Sequence, residues 1–178
     1  MSFVLRSPMK IKIPLVPHYS DRFQCQCPRP ELLMDVRGRD GRFLPMRFIL
    51  DTGCDIITIP TRKARAYSLA FDESPANEIA ITGSTGSGRG YRGFITIRFQ
   101  GMLFRWPCAF SKTPARPHEG SVGRGYRVPL SLLGRAGFQD DWEFCIDDYF
   151  LTLVYRSPFR RWLKTRWRKL RGYPSLND

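Results

Sequence analysis

Apolar and polar residues alternate over many short stretches of this chain, and such alternation is typical of half-buried β-strands. Residues 9–15 show the pattern most simply, because methionine, isoleucine and leucine alternate there with lysine and proline. Further strands are predicted at 32–36, 43–50, 56–59, 79–82, 91–99, 103–110 and 145–154. The 15 glycines and 14 prolines supply turns between them, so the chain is predicted to be mainly all-β.

Two local signals predict how the first strands are connected. Residues 38–41 contain an Asp-Gly pair between apolar runs, which predicts a β-hairpin made of 32–36 and 43–50. Residues 61–69 lack the alternation and predict a short helix, with Thr61 as its N-cap and its basic residues on a solvated face.

The strand at 43–50 ends at a carboxylate. Asp51 is followed by Thr52 and Gly53, and the next apolar segment, 56–59, is β-branched throughout. Gly53 lets the backbone turn back without a Cβ clash. A carboxylate held against apolar strands is costly unless it is solvated, paired or used in chemistry. We interpret Asp51 as a catalytic group.

Residues 48–60 resemble the active-site strand of the retropepsin-like aspartic proteases. Downstream, Leu132-Leu133-Gly134-Arg135 resembles the apolar strand that ends in Gly-Arg in that family. The resemblance spans residues 30–155. It implies a retropepsin-like closed β-barrel, the fold of one acid-protease half, with one short helix.

The resemblance also implies roles for individual residues. Asp51 would be catalytic, and Thr52 would tie two active-site loops together by hydrogen bonds. Arg135 would form a partly buried ion pair with Asp55 and hold the active-site turn in place. The expected supporting residues are Thr52, Gly53, Asp55, Gly134 and Arg135.

A glycine-rich segment at 83–90 lies between two predicted strands. The resemblance places the family's substrate-covering flap here, with the flap residues Gly83, Ser84, Thr85, Gly86, Ser87 and Gly88. A phosphate-binding loop is a poorer interpretation, because the Gly-Lys-Ser/Thr ending and the following helix are absent. A plain flexible turn remains the alternative.

Only one Asp-Thr-Gly occurs in the sequence. Aspartic proteolysis needs two carboxylates about 3 Å apart that share a proton. The sequence therefore predicts a homodimeric endopeptidase, in which each chain contributes Asp51 and the flaps cover a peptide or protein substrate. The alternative is a non-catalytic module that uses the same fold for dimerisation or peptide binding.

Cys54 stands where the family usually has Ala or Ser, and it suggests a rival mechanism with a cysteine nucleophile. Such a nucleophile needs a histidine partner. The chain has only His18 and His118, and neither lies in a recognisable catalytic setting. We therefore favour the aspartic mechanism.

The composition predicts where the protein resides and argues against a metal site. The five cysteines make no even framework, no secretory signal or long apolar run is evident, and the net charge is +13. These features predict a basic, soluble protein with reduced thiols in the cytoplasm. Cys25 and Cys27 lack a second Cys/His pair, so no metal site and no cofactor is predicted.

Residues 156–171 contain eight Lys or Arg and no acid. Trp162 and Trp167 lie with other apolar residues near one face at helical spacing, which predicts a basic amphipathic C-terminal helix. Its face suits an anionic membrane surface, where the protein would be peripheral, or nucleic acid. Packing against its own domain is the alternative. The predicted organisation is an N-terminal extension (1–30), a protease domain (31–155) and this tail (156–178).

Overall fold

A computed structural model describes residues 9–17, 19–20, 24–26, 28–83, 86–112 and 131–156. Strands dominate these ranges. They are β1 (Lys10–Pro14), β2 (Tyr19–Ser20), β3 (Cys25–Gln26), β4 (Glu31–Arg37), β5 (Phe43–Leu50), β6 (Ile57–Pro60), β7 (Glu78–Gly83), β8 (Gly86–Phe99), β9 (Met102–Ser111), β10 (Ser131–Leu133), β11 (Trp142–Ile146) and β12 (Phe150–Tyr155). The helices are α1 (Thr61–Ala66) and α2 (Phe138–Asp141), with a 3₁₀ turn at Pro75–Asn77.

Seven strands form one sheet that closes on itself. Its order is β4-β5-β10-β6-β9-β8-β7, and β4 also pairs with the far end of β8, through Asp35 with Arg98 and Val36 with Ile97. Alternate side chains point inward and fill the centre, as in β4, where Leu32, Met34 and Val36 are buried. The all-β prediction and the closed barrel are both confirmed.

The second sheet contains three strands, in the order β1-β12-β11. β1 confirms the strand predicted at 9–15, and it pairs antiparallel with β12 from Lys10–Val154 to Pro14–Phe150. Leu151 and Leu153 of β12 are fully buried. The N-terminal strand thus shares a sheet with the end of the predicted protease domain.

The β4–β5 hairpin forms at the predicted Asp-Gly turn. The N–H of Gly41 donates to the carbonyl of Gly38 over 3.0 Å, and Gly41 has φ of 81°. Only glycine adopts this conformation without strain. The local turn signal was therefore sufficient for this hairpin.

The predicted helix at 61–69 is shorter than expected, and its predicted N-cap is wrong. Pro60 occupies the N-cap position, and no side chain caps the helix. Thr61 is instead the first helical residue, because strand β6 continues through Pro60. Ser68 has a positive φ of 50°, which ends the helical path before Leu69. No helix in the described ranges is long and apolar enough to span a membrane.

Candidate active site

The Asp-Thr-Gly turn lies at the end of β5 and is held by backbone hydrogen bonds. The N–H of Asp51 donates to the carbonyl of Leu133 over 3.1 Å, and the N–H of Cys54 donates to the carbonyl of Asp51 over 3.1 Å. Strand β10 anchors the turn because it lies between β5 and β6, parallel to the first and antiparallel to the second. The backbone around the carboxylate is therefore fixed by three strands.

The carboxylate of Asp51 is oriented by its own turn. The N–H of Gly53 donates to Oδ1 of Asp51 over 2.9 Å. A hydrogen bond from an amide to an ionised oxygen is stronger than a neutral one and fixes the side-chain rotamer. Asp51 is half-buried, whereas Thr52 and Gly53 are exposed. The site is therefore open to solvent on the side of Thr52.

Gly134 lies directly against the backbone of the active-site loop. A Cβ at this position would come within 2.4 Å of the carbonyl oxygen of Ile56 and 2.7 Å of its nitrogen. The next residues continue this contact, since the N–H of Arg135 donates to the carbonyl of Cys54 over 2.9 Å. Glycine at this position therefore lets the 134–135 segment cross close to the active-site loop.

Arg135 and Asp55 form the predicted ion pair, through Nη2 and Oδ1. The prediction that the pair is partly buried is wrong. The Asp55 side chain is 84% exposed and that of Arg135 is 51% exposed. Asp55 lies between the Asp-Thr-Gly turn and β6, outside any strand, and its carboxylate is accessible to solvent. An exposed pair of this kind contributes little stability within one chain.

Cys54 is engaged by its neighbours. Its Sγ donates to the carbonyl of Ile56 over 2.9 Å and lies 3.6 Å from the hydroxyl of Thr58, which also donates to that carbonyl. Neither partner is a base that would take a thiol proton. His18 and His118 lie outside the described residues. The contacts of Cys54 thus support a structural role.

Strands β7 and β8 form the hairpin predicted to be the flap. Their pairing continues to Gly83–Gly86. Ser84 and Thr85, which follow Gly83 in the sequence, lie outside the described residues. The expectation of a glycine-rich loop over 83–90 is wrong, because residues from Gly86 onward belong to β8. Gly86, Ser87 and Gly88 therefore lie on the strand.

Close packing of neighbouring strands explains why β8 has glycine at residue 90. A Cβ on Gly90 would come within 2.6 Å of the Phe110 carbonyl oxygen and of Ile81 Cδ1. Glycine here allows three strands to approach closely. Because a glycine can be required by packing, the number of glycines in this segment does not indicate how mobile the β7–β8 hairpin is.

A buried support for the Gly134–Arg135 segment was not predicted from sequence. The indole N–H of Trp106 donates to Oδ2 of Asp141 over 2.8 Å, and both residues are buried. Gly137, with φ of 80°, packs against the same indole. In the sequence Asp141 is one of two consecutive acids, and no local pattern distinguishes it from Asp140, which is only half-buried.

Arg156, the first residue of the predicted basic tail, contacts the folded domain. Its Nε donates to Glu143 over 3.0 Å and its Nη1 to the carbonyl of Gln139 over 2.9 Å. The other tail residues, 157–178, lie outside the described residues, so the predicted amphipathic helix and its partners remain predictions.

Metal binding finds no support in the residues that the structure covers. These contain no cluster of three or more His, Cys, Asp or Glu side chains arranged to hold an ion. Cys25 is exposed, and Cys27 lies outside the described ranges.

Comparison with known proteins identifies the fold of the chain. Neither a protein-family model nor a curated protein matches the sequence. Among solved structures, a retropepsin-like aspartic protease from Rickettsia conorii aligns with a TM-score of 0.51 at 16% identity, over 84% of this chain and 95% of that chain. EIAV protease complexed with the inhibitor HBY-793 aligns with a TM-score of 0.43 at 19% identity, over 60% of this chain and 82% of that chain.

The chain therefore has the fold of the retropepsin-like aspartic proteases, as the sequence resemblance predicted. This conclusion rests on the Rickettsia structure, and at such low identity it concerns the fold alone.

Proposed function

We propose that the protein is an aspartic endopeptidase that is active as a homodimer. The observation that carries the proposal is the Asp51 turn, an Asp-Thr-Gly on a retropepsin-like fold. Its carboxylate is half-buried and oriented by the N–H of Gly53, and Thr52 and Gly53 are exposed. The chain holds a single copy of this motif, so a second carboxylate has to come from another chain.

The chemistry follows from placing two Asp51 carboxylates across a two-fold axis. Two carboxyl groups about 3 Å apart do not both ionise, because the two negative charges would repel each other. The pair therefore holds one proton. The ionised carboxylate accepts a proton from a water molecule, which attacks the scissile carbonyl, while the protonated carboxyl donates to the carbonyl oxygen. Collapse of the tetrahedral intermediate then releases an amine and an acid.

The exposed residues of the turn are the natural contacts of the partner chain. Thr52 would hydrogen-bond to its counterpart across the axis. The β7–β8 hairpin would close over the bound peptide as a flap. This arrangement gives the exposed Asp55–Arg135 pair a role, because a partner chain would shield it from water and strengthen it.

The test compares wild-type protein with Asp51→Asn. Asparagine keeps the shape of the side chain but neither ionises nor shares a proton. We expect peptide cleavage to fall by at least about 10⁴-fold, as for other groups that act as a catalytic unit. Products from a mixed peptide library are identified by mass spectrometry, and the molecular mass is measured by light scattering.

Asp148→Asn is the matched control, because it makes the same chemical change at an exposed acid outside the turn. It should cleave like wild type. Full peptidase activity in Asp51→Asn would end the proposal. A dimer without detectable cleavage in any variant would instead favour the non-catalytic module.

A further inference from the structure

A second surface with its own chemistry lies on the outside of the barrel. It is formed by side chains that point outward from β4, β5, β8 and β9 and from the turn after β4. We call it the arginine face, and it consists of Arg37, Arg39, Phe43, Phe94, Arg98 and Arg105.

Arginine and phenylalanine side chains are stacked in pairs on this face. The guanidinium carbon of Arg105 lies 4.1 Å from the ring centroid of Phe94. That of Arg98 lies 4.5 Å from the ring centroid of Phe43. Despite this contact Phe94 is 51% exposed, so much of its ring faces solvent. The exposed part of the ring therefore offers a flat apolar surface that is flanked by positive charge.

The charge of the face is mostly uncompensated. Arg98 is paired with Asp35 over 2.9 Å. Arg39 donates to the carbonyl of Phe71 over 3.0 Å and interacts electrostatically with Glu73. Within the described part of the chain, no acidic side chain lies within ion-pairing distance of Arg37, Arg39 or Arg105. Across the whole sequence 29 basic residues stand against 16 acidic ones. A polyanion is therefore the partner with complementary charge.

A small recess lies beside Phe94. It has a volume of about 250 Å³ and is bounded by Arg37, Arg39, Phe94 and Thr96, with Leu69 at its base. Whole small-molecule ligands occupy pockets of about 300–1,000 Å³. The recess therefore suits one flat group of a longer chain rather than a complete ligand.

The face is remote from the aspartate turn. Arg37 pairs with Phe43 at the closed end of the β4–β5 hairpin, whereas Asp51 follows Leu50 at its open end. Seven residue steps along β5 separate the two ends by roughly 23 Å. A ligand on this face would leave Asp51 accessible.

We propose that the arginine face binds single-stranded nucleic acid. A base stacks on the exposed side of Phe94 and enters the recess, and Arg37, Arg39 and Arg105 contact the flanking phosphates. Aromatic rings in a basic groove are the general device for holding unpaired bases without sequence preference. Paired bases offer no free ring face, so duplexes bind more weakly.

The experiment measures binding of a fluorescent oligothymidylate of about 12 nucleotides, an unstructured probe of suitable site size. Fluorescence anisotropy is recorded with the full chain at several salt concentrations. Phe94→Leu keeps an apolar side chain but removes the ring. It should weaken binding by about 5- to 100-fold, the effect of one lost base stack, with an unchanged salt slope. Phe94→Trp should bind at least as well as wild type.

Replacing the arginines should act differently. Arg37→Ala and Arg105→Ala should each weaken binding and reduce the salt slope by about 0.7 per lost phosphate contact. Arg62→Ala removes the same charge from an exposed position on α1 and should bind like wild type. Thermal melting of each variant confirms that it is folded.

Three results would overturn the proposal. The first is no binding by wild type. The second is wild-type affinity in Phe94→Leu and in both arginine variants, which would place binding elsewhere on the chain, such as the basic tail. The third is displacement by poly-glutamate of matched charge with the same dependence on Phe94, which would make the partner an acidic polypeptide.

Discussion

Gly134 links the two halves of the candidate site, and its role is steric. The atoms that a Cβ would meet belong to the backbone of Ile56. Backbone in the centre of three paired strands has no rotamer by which to give way. Any side chain at residue 134 would therefore push the active-site loop out of register.

We expect Gly134→Ala to lower the free energy of unfolding by about 3 kcal/mol or more, since overpacking against backbone relaxes poorly. The measurement is urea denaturation followed by tryptophan fluorescence. Gly101→Ala is the comparison: its Cβ would meet nothing within 4 Å, but its φ is 76°. It should cost only about 1 kcal/mol. A loss at Gly134 no larger than that at Gly101 would contradict the steric role, because Gly134 lacks the positive φ that strains an alanine at Gly101.

The thiols should differ in reactivity according to burial. Cys108 is fully buried, and burial raises the pKa of its thiol well above the ordinary value of 9.0, so little thiolate forms near neutral pH. Cys145 is exposed. Iodoacetamide at pH 8 should label Cys145 within minutes and Cys108 only after unfolding in urea. Rapid labelling of Cys108 in the native protein, measured by peptide mass spectrometry, would contradict the structure.

At the residue scale, the Asp51 turn was predicted from a short local motif. The partner of Arg135 lies 80 positions away in the sequence, and it was implied by the family resemblance. The exposure of Asp55 was not predicted, because it depends on how β10 passes beneath the turn. The buried bond between Trp106 and Asp141 was missed for the same reason, since it joins residues from distant elements.

At the scale of elements, the β7–β8 hairpin is tied to β9 by a charged cluster. Nζ of Lys112 donates to Glu78 over 2.9 Å, and Arg89 lies 3.6 Å from the same oxygen. The hydrogen bond from Lys112 holds the pKa of Glu78 below its ordinary value of 4.5. A carboxylate with a depressed pKa stabilises the fold above its unfolded-state pKa, and this contribution is lost as pH falls through the folded-state value.

We therefore expect Glu78→Gln to lower the melting temperature at pH 6, and we expect this difference to shrink as the pH falls through the lowered pKa of Glu78, where the wild-type side chain becomes protonated. The comparison is made by calorimetry across this range. For Asp148→Asn, the melting temperature should differ little from that of wild type at any pH, because Asp148 has no hydrogen bond or ion pair among the described residues. A constant difference between Glu78→Gln and wild type at all pH values would exclude the ionic explanation.

Element types were largely predictable, and their limits were not. Both ends of β5 were predicted correctly from the sequence pattern. The pattern is clear because the inward side chains Met46, Phe48 and Leu50 are all buried in the same core. It failed for the start of β8, where glycine carries no polarity signal. There the reason for Gly90 is the closeness of β7 and β9, and only the folded structure contains that information.

At the scale of the whole molecule, barrel closure lay beyond the sequence pattern. Closure depends on β4 meeting β8, and the bond between Asp35 and Arg98 joins residues 63 positions apart. Alternation indicates that both segments are strands but says nothing about which strand lies beside which. The family resemblance, rather than periodicity, predicted the closed barrel.

The proposed dimer makes a quantitative prediction for mixed samples. If each active site needs Asp51 from both chains, equal amounts of wild type and Asp51→Asn should redistribute at random after chain exchange. The activity would then be about a quarter of that of an all-wild-type sample, against about a half for sites complete within one chain. Initial rates of peptide cleavage before and after exchange distinguish the two. A rate that stays at one half after confirmed exchange would exclude a shared site.

The pairing of β1 with β12 has a consequence for biosynthesis. Lys10 leaves the ribosome long before Val154, its partner in the sheet. At about 5–20 residues per second, β1 waits on the order of ten seconds for that partner. During this time it is an exposed strand with unsatisfied backbone groups, a state that invites intermolecular pairing. Lys10 and Lys12 place charge on its surface, and Pro14 removes a donor at its end, so the nascent strand carries its own protection against aggregation.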